Sequence, residues 1–174
     1  LDNTKGRIFA YDFQGNMLYA FGGHGYKAGL FMNPSAIEDI GDSLLVTDQK
    51  LGTITQFTLT DYGKMINDGL AEYKKGNYDE SANIWRKVLK HNGNYDQAYI
   101  GIGRALLREK NYKEAMDYFE LKLDAKNYSK AFKLYREVWF EENIGTILII
   151  IAILILLGFG VGFVKKARRE VEKG

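Results

Sequence analysis

The sequence predicts a multidomain chain: an all-β segment, then an α-helical repeat solenoid, then a single transmembrane helix. Three observations carry that reading. Residues 1–63 alternate short β-rich runs with glycine turns. A segment starting at Gly69 matches itself 34 residues later. Ile144 to Val164 is one apolar run without a charge. The domains expected are 1–63, 64–128, a capping and juxtamembrane helix at 129–143, the span at 144–164 and a basic tail at 165–174.

The first runs are RIFAYDFQGNMLYAFGG, SAIEDIGDSLLVTD and GTITQFTLTDYG. Gln14-Gly15-Asn16 reads as a hairpin turn and Asp39 to Asp42 as another. The run at Arg7 is echoed from Thr53, about 46 residues on, a blade-sized period. FGGHGYKAGLFMNPSAI followed by SLLVTDQKLGTITQF resembles the NHL repeat, a β-propeller unit. Gly22, Gly23, Gly25, Gly29 and Pro34 match its glycine loop and proline. Asp48, Gly52, Ile54 and Phe57 match its Asp turn and outer strand. Thr47 stands where a smaller residue is usual, and the outer-strand arginine is missing. The resemblance implies one blade and the outer part of another. Such strands have open edges, so further blades are expected before Leu1. The glycine loop is not read as a phosphate loop, because Asn33-Pro34 and a strand follow it where anion binding needs a helix.

In the 34-residue match, Gly69 falls on Gly103, Ala71 on Ala105, Asn77 on Asn111 and Tyr78 on Tyr112. Glu80 falls on Glu114, Trp85 on Phe119, Leu89 on Leu123, and Ser81 on the small Ala115. Period and residue types resemble the tetratricopeptide repeat, a helix-turn-helix unit. The resemblance implies that Gly69 and Gly103 let helix A pack closely. It implies that Ser81 or Ala115 sits where helix B crosses, and that Trp85 and Phe119 fill the gap. Met65 and Tyr99 stand where the pattern has Trp, and no proline closes either repeat. Independently, Ile84, Trp85, Val88 and Leu89 form one helical stripe, and Met116, Phe119 and Leu123 another. After Asn127, Tyr128, Ala131 and Tyr135 mimic helix B spacing, and Trp139 and Phe140 sit where an interfacial belt belongs.

The apolar run, as a helix, is about 31 Å long, close to a bilayer's hydrocarbon thickness. Lys165, Lys166, Arg168, Arg169 and Lys173 follow it, whereas Glu137, Glu141 and Glu142 precede it. That excess puts the C-terminus in the cytoplasm of a single-pass plasma-membrane protein and the repeats outside. The chain has no cysteine, which suits an exported bacterial protein. It begins with Leu1 and carries no export signal, so it is expected to be the C-terminal part of a longer protein. Gly158 and Gly162 share one helix face in the small-xxx-small pattern that pairs membrane helices into a homodimer; glycine is also common in such helices without pairing.

Catalytic residues are not evident, and no metal or cofactor is expected. The two histidines, His24 and His91, lie far apart, and no serine has a nucleophile-elbow setting. Asp12, Asp48 and Asp61 sit at strand ends, where carboxylates hold turns. A net charge of +2 argues against nucleic acid. Binding is the activity expected. The concave face of the repeats would present Asn67, Leu70, Tyr73 and Lys74 from one repeat and Ile100, Arg104, Leu107 and Arg108 from the next. That face suits an extended acidic peptide; the plainer reading of Lys74, Arg104 and Arg108 is a solvated face. Blade, repeats and anchor together resemble bacterial membrane proteins of the NHL-propeller-plus-tetratricopeptide type. The resemblance implies a non-enzymatic scaffold, accessory to a carbohydrate ABC transporter. The rival expectation is a ligand-binding or enzymatic propeller whose active residues lie upstream.

Overall fold

The computed structural model describes residues 1–171 and, beyond Gly162, the side chains of Val164 and Lys165 alone. Lys173 and Gly174 of the expected tail lie outside the described residues.

Among the described residues the strands form two small antiparallel sheets and no closed ring. β1 (Arg7–Tyr11) and β2 (Met17–Gly22) make a hairpin with an irregular step between Ala10 and Tyr11. β3 (Pro34–Ile40), β4 (Ser43–Asp48) and β5 (Thr53–Thr58) make a sheet in that order. Ile8, Phe31 and Val46 are buried between the sheets, with Phe21, Ile37 and Phe57 packed around them. The Phe57 ring lies 5.0 Å from Phe21 and 5.8 Å from Phe31, inside the range of favourable aromatic pairs. Asp48 ties the sheet together. It is 2 % exposed, and its carboxylate accepts the amides of Met32 (2.6 Å), Asn33 (3.1 Å), Lys50 and Leu51 (both 2.9 Å). The turn role expected of this residue is thus filled, and it extends to the segment before β3.

Among the described residues five helices follow: α1 (Asp61–Lys75), α2 (Tyr78–His91), α3 (Asp96–Arg108), α4 (Tyr112–Leu121) and α5 (Ala125–Val171). Thr60 caps α1, accepting the Gly63 amide at 3.1 Å, with Asp61 favourably placed in the first turn. Each helix packs on the next, which is the stacking order of helix-turn-helix repeats. A Cβ on Gly69 would lie 2.9 Å from the Trp85 ring, and one on Gly103 2.7 Å from the Phe119 ring. Trp85 and Phe119 are both buried, as are Ser81 and Ala115. The Ser81 hydroxyl donates to the Gly69 carbonyl at 2.7 Å, whereas Ala115, one period later, is fully buried without a hydroxyl. Tyr78 packs its ring 5.3 Å from Tyr73, and Tyr112 opens α4 half-buried.

Two details depart from the periodic reading. Leu123 does not repeat Leu89: α4 ends at Leu121, and Leu123 is 89 % exposed with φ 53°. The chain turns there because Asp124 accepts the Asn127 amide and side chain and opens α5. α5 packs on α4 as α3 packs on α2, so it stands in a helix A position and not in the helix B position its spacing mimics. Its Ala131 is fully buried against the stack.

Candidate functional site

The concave face of the repeats is not free along its length: the β1–β2 hairpin reaches into it. Leu18 of β2 is buried in the same core as Ile66, Trp85, Ala98 and Ile102, with Ala10 and Tyr19 beside it. The Tyr95 hydroxyl donates to the Leu18 carbonyl at 2.8 Å. Burial, and then the nearby Tyr62, Tyr19 and Asp12, push the Tyr95 phenol above its ordinary range, so it remains a neutral donor. The Tyr19 hydroxyl bonds Asn67 Oδ1 at 3.3 Å. The part of the hairpin next to its turn is therefore packed and hydrogen-bonded onto the repeats.

The hairpin turn carries charge into the face. Asp12 Oδ2 lies 3.6 Å from Arg104 Nη1, with side chains 8 % and 18 % exposed. Asp12 also holds its own turn, accepting the amides of Gln14 (2.9 Å) and Asn16 (2.8 Å) and the Asn16 side chain (2.7 Å). Burial alone would raise its carboxyl pKa; the bonds from Asn16 and Gln14, with Arg104, outweigh that and lower it. Lys74 Nζ stands 5.1 Å over the Phe13 ring, a cation–π contact.

Beside this contact remains an open cleft of about 690 Å³. The hairpin lines one wall with Tyr11, Phe13 and Leu18; Leu70, Tyr73 and Lys74 line the other. Five of the eight residues expected on the concave face line it: Asn67, Leu70, Tyr73, Lys74 and Arg104. Ile100 and Leu107 instead pack half-buried against the core. Arg108 is exposed outside the cleft and donates from Nε to the Tyr73 hydroxyl at 3.2 Å. Sequence reasoning missed Gly101, where a Cβ would lie 2.5 Å from the Trp85 indole nitrogen. It sits outside the 34-residue match, so the period gave no signal for it. The hairpin's arrival was missed because Asp12 and Arg104 are distant in sequence and no local pattern links them.

Among the described residues no cluster of three or more His, Asp or Glu is placed to hold a metal ion. One helix, α5, is long and apolar enough to cross a membrane. A Cβ on Gly158 or Gly162 would meet nothing within 4 Å, so that face is open in the single chain.

Residues 67–130 match the family model described as tetratricopeptide repeat. The match runs from within α1 to the start of α5, and the helical region is tetratricopeptide-like. Comparison with curated proteins found no match, and comparison with solved structures found none. Tetratricopeptide repeats are typically non-catalytic modules that bind proteins, which makes a protein-interaction role the coarse functional assignment.

Proposed function

We propose that the chain is a non-enzymatic, membrane-anchored interaction protein whose repeats take an acidic peptide segment of a partner outside the cytoplasm. The cleft between hairpin and repeats is the observation that carries this reading. It joins apolar walls from Leu70 and Tyr73 to cations at Lys74 and Arg104, and its helical stack continues into the apolar helix. Apolar contact supplies affinity, and the cations select acidic segments and speed encounter. The orientation rests on the basic residues after Val164. The blade reading of 1–63 rests on the NHL-like pattern and on the antiparallel β3-β4-β5 sheet closed by Asp48. An accessory role beside a carbohydrate transporter follows from the resemblance alone.

The test is capture from membranes with the full chain as bait. Wild type is expected to retain a partner that Lys74→Glu and Leu70→Asp both lose, while each variant keeps wild-type helicity. Retention of the same partner by both variants sinks the reading. Topology is tested separately. A cysteine at Asn94 is expected to react with an impermeant thiol reagent in intact cells, and a cysteine at Gly174 is not.

A further inference from the structure

We infer that the Arg104 end of the repeat face is a carboxylate-reading surface whose resident occupant is the chain's own Asp12 turn, and that an incoming acidic segment takes Arg104 from Asp12. This deepens the proposed function and rests on it. The argument starts from how unequally the hairpin is held. Its strand residues beside the turn have the buried Leu18 and hydrogen bonds from Tyr95 and Tyr19. Its turn has one ion pair at 3.6 Å and one cation–π contact. Phe13 is 97 % exposed, and Gln14 and Gly15 are exposed beside it. The irregular step at Ala10–Tyr11 separates the two parts. The turn can therefore leave while Leu18 and Tyr19 stay.

Charge says what replaces it. Lys74 and Arg104 line the cleft and Arg108 lies just beyond it, whereas Asp12 is the one acid among the described residues that lines it. When the turn leaves, Arg104 loses its counter-charge in a half-buried setting, and an entering carboxylate restores it. Apolar residues flanking that carboxylate would meet Leu70 and Tyr73. A tethered turn competes at an effective concentration on the order of millimolar, so a free acidic peptide binds wild type weakly.

The probe is a fluorescein-labelled peptide of the turn itself, Tyr11 to Met17, titrated against the full chain in lipid nanodiscs. Asp12→Asn keeps an oxygen for the Gln14 and Asn16 amides and removes the charge together with the acceptor of the Asn16 side chain. It is expected to tighten probe binding about tenfold, as when a site goes from one-tenth open to fully open. Arg104→Gln is expected to abolish that gain in the Asp12→Asn background, and a probe with Asn for its Asp is expected not to bind. Hydrogen exchange over residues 12–16 is expected to quicken in Arg104→Gln without any peptide. Equal probe affinity for wild type and Asp12→Asn, or tight binding that survives Arg104→Gln, overturns the inference. A captured partner lost with Lys74→Glu yet indifferent to Asp12→Asn and Arg104→Gln overturns this inference and leaves the proposed function standing. Probe binding as expected with no captured partner does the reverse.

Discussion

Lys110 holds a backbone conformation that its chemistry disfavours. In the first repeat, α1 ends with Gly76 at φ 90°, whose amide bonds the Tyr73 carbonyl while that of Asn77 bonds Glu72. One period later the amides of Lys110 and Asn111 bond the carbonyls of Leu107 and Leu106, the same double closure. Lys110 has φ 65°, where an L side chain costs about 1 to 2 kcal/mol and glycine does not. Glycine gives back part of that gain through the freedom of the unfolded chain, about 0.4 to 1 kcal/mol. Lys110→Gly is thus expected to stabilise the repeats by about 0.5 to 1 kcal/mol, read as a higher urea midpoint at unchanged slope. At Asp48 the expectation concerns pH. Burial raises its carboxyl pKa, but four amide bonds outweigh that and hold it below the ordinary value. A lowered native pKa means stability that is fully present above the unfolded value, near pH 4, and is lost as pH falls through the native one. Hydrogen exchange over residues 31–52 is expected to quicken below about pH 4 in wild type. In Asp48→Asn it is expected to be already fast at pH 7 and less sensitive to acid.

The paired helices were legible because each repeat solves one packing problem in one way. A glycine on helix A faces an aromatic on helix B, and both recur at the same period. Gly103→Ala gains about 1 kcal/mol of helix propensity. It also drives a methyl to 2.7 Å from the Phe119 ring, and overpacking of that kind costs about 1 to 3 kcal/mol. Phe119 is fully buried, so the steric cost is expected to win and Gly103→Ala to lower the melting temperature. Trp85→Ala and Phe119→Ala remove the aromatic instead and are expected to cost about 3 to 5 kcal/mol each. A wild-type-like urea midpoint in either would place the ring outside the core. What the period hid were events with no counterpart in the other repeat. Leu123 left the pattern because Asp124 starts a new helix there, and Gly101 became essential because Trp85 is covered from α3 as well as from α1. In the candidate site, residue identities on helix A named the cleft wall at Asn67, Leu70, Tyr73, Lys74 and Arg104. The second wall came from the hairpin, whose docking depends on shape across the fold and not on any spacing along the chain.

At the scale of the whole molecule, the repeats and the apolar run share one helix. Ala131 is buried against α4, and Ile144, thirteen residues further on in α5, opens the uncharged run. That separation is ~20 Å along a helix axis. No glycine or proline interrupts it, and kinks in helices almost always need such a residue or a bulge. Trp139 and Phe140 are exposed just before the run, at the level where aromatic side chains favour a bilayer interface. If α5 crosses the membrane, the cleft is carried at a fixed height above it, and its tilt follows the tilt of the anchor. This geometry admits a direct test. A donor on a cysteine at Asn94, unique in a chain without cysteine, is expected to give a narrow distribution of energy transfer to acceptor lipids. Six Gly-Ser residues inserted after Glu142 are expected to broaden it, since such linkers behave as coils. Seven strong helix formers inserted at the same place are expected to move the donor outward by about 10 Å and keep the distribution narrow. A wild-type distribution as broad as the Gly-Ser variant would mean that α5 bends at the bilayer. A Gly-Ser variant as narrow as wild type would mean that the repeats rest on the lipid surface itself, and that the helix does not set their height.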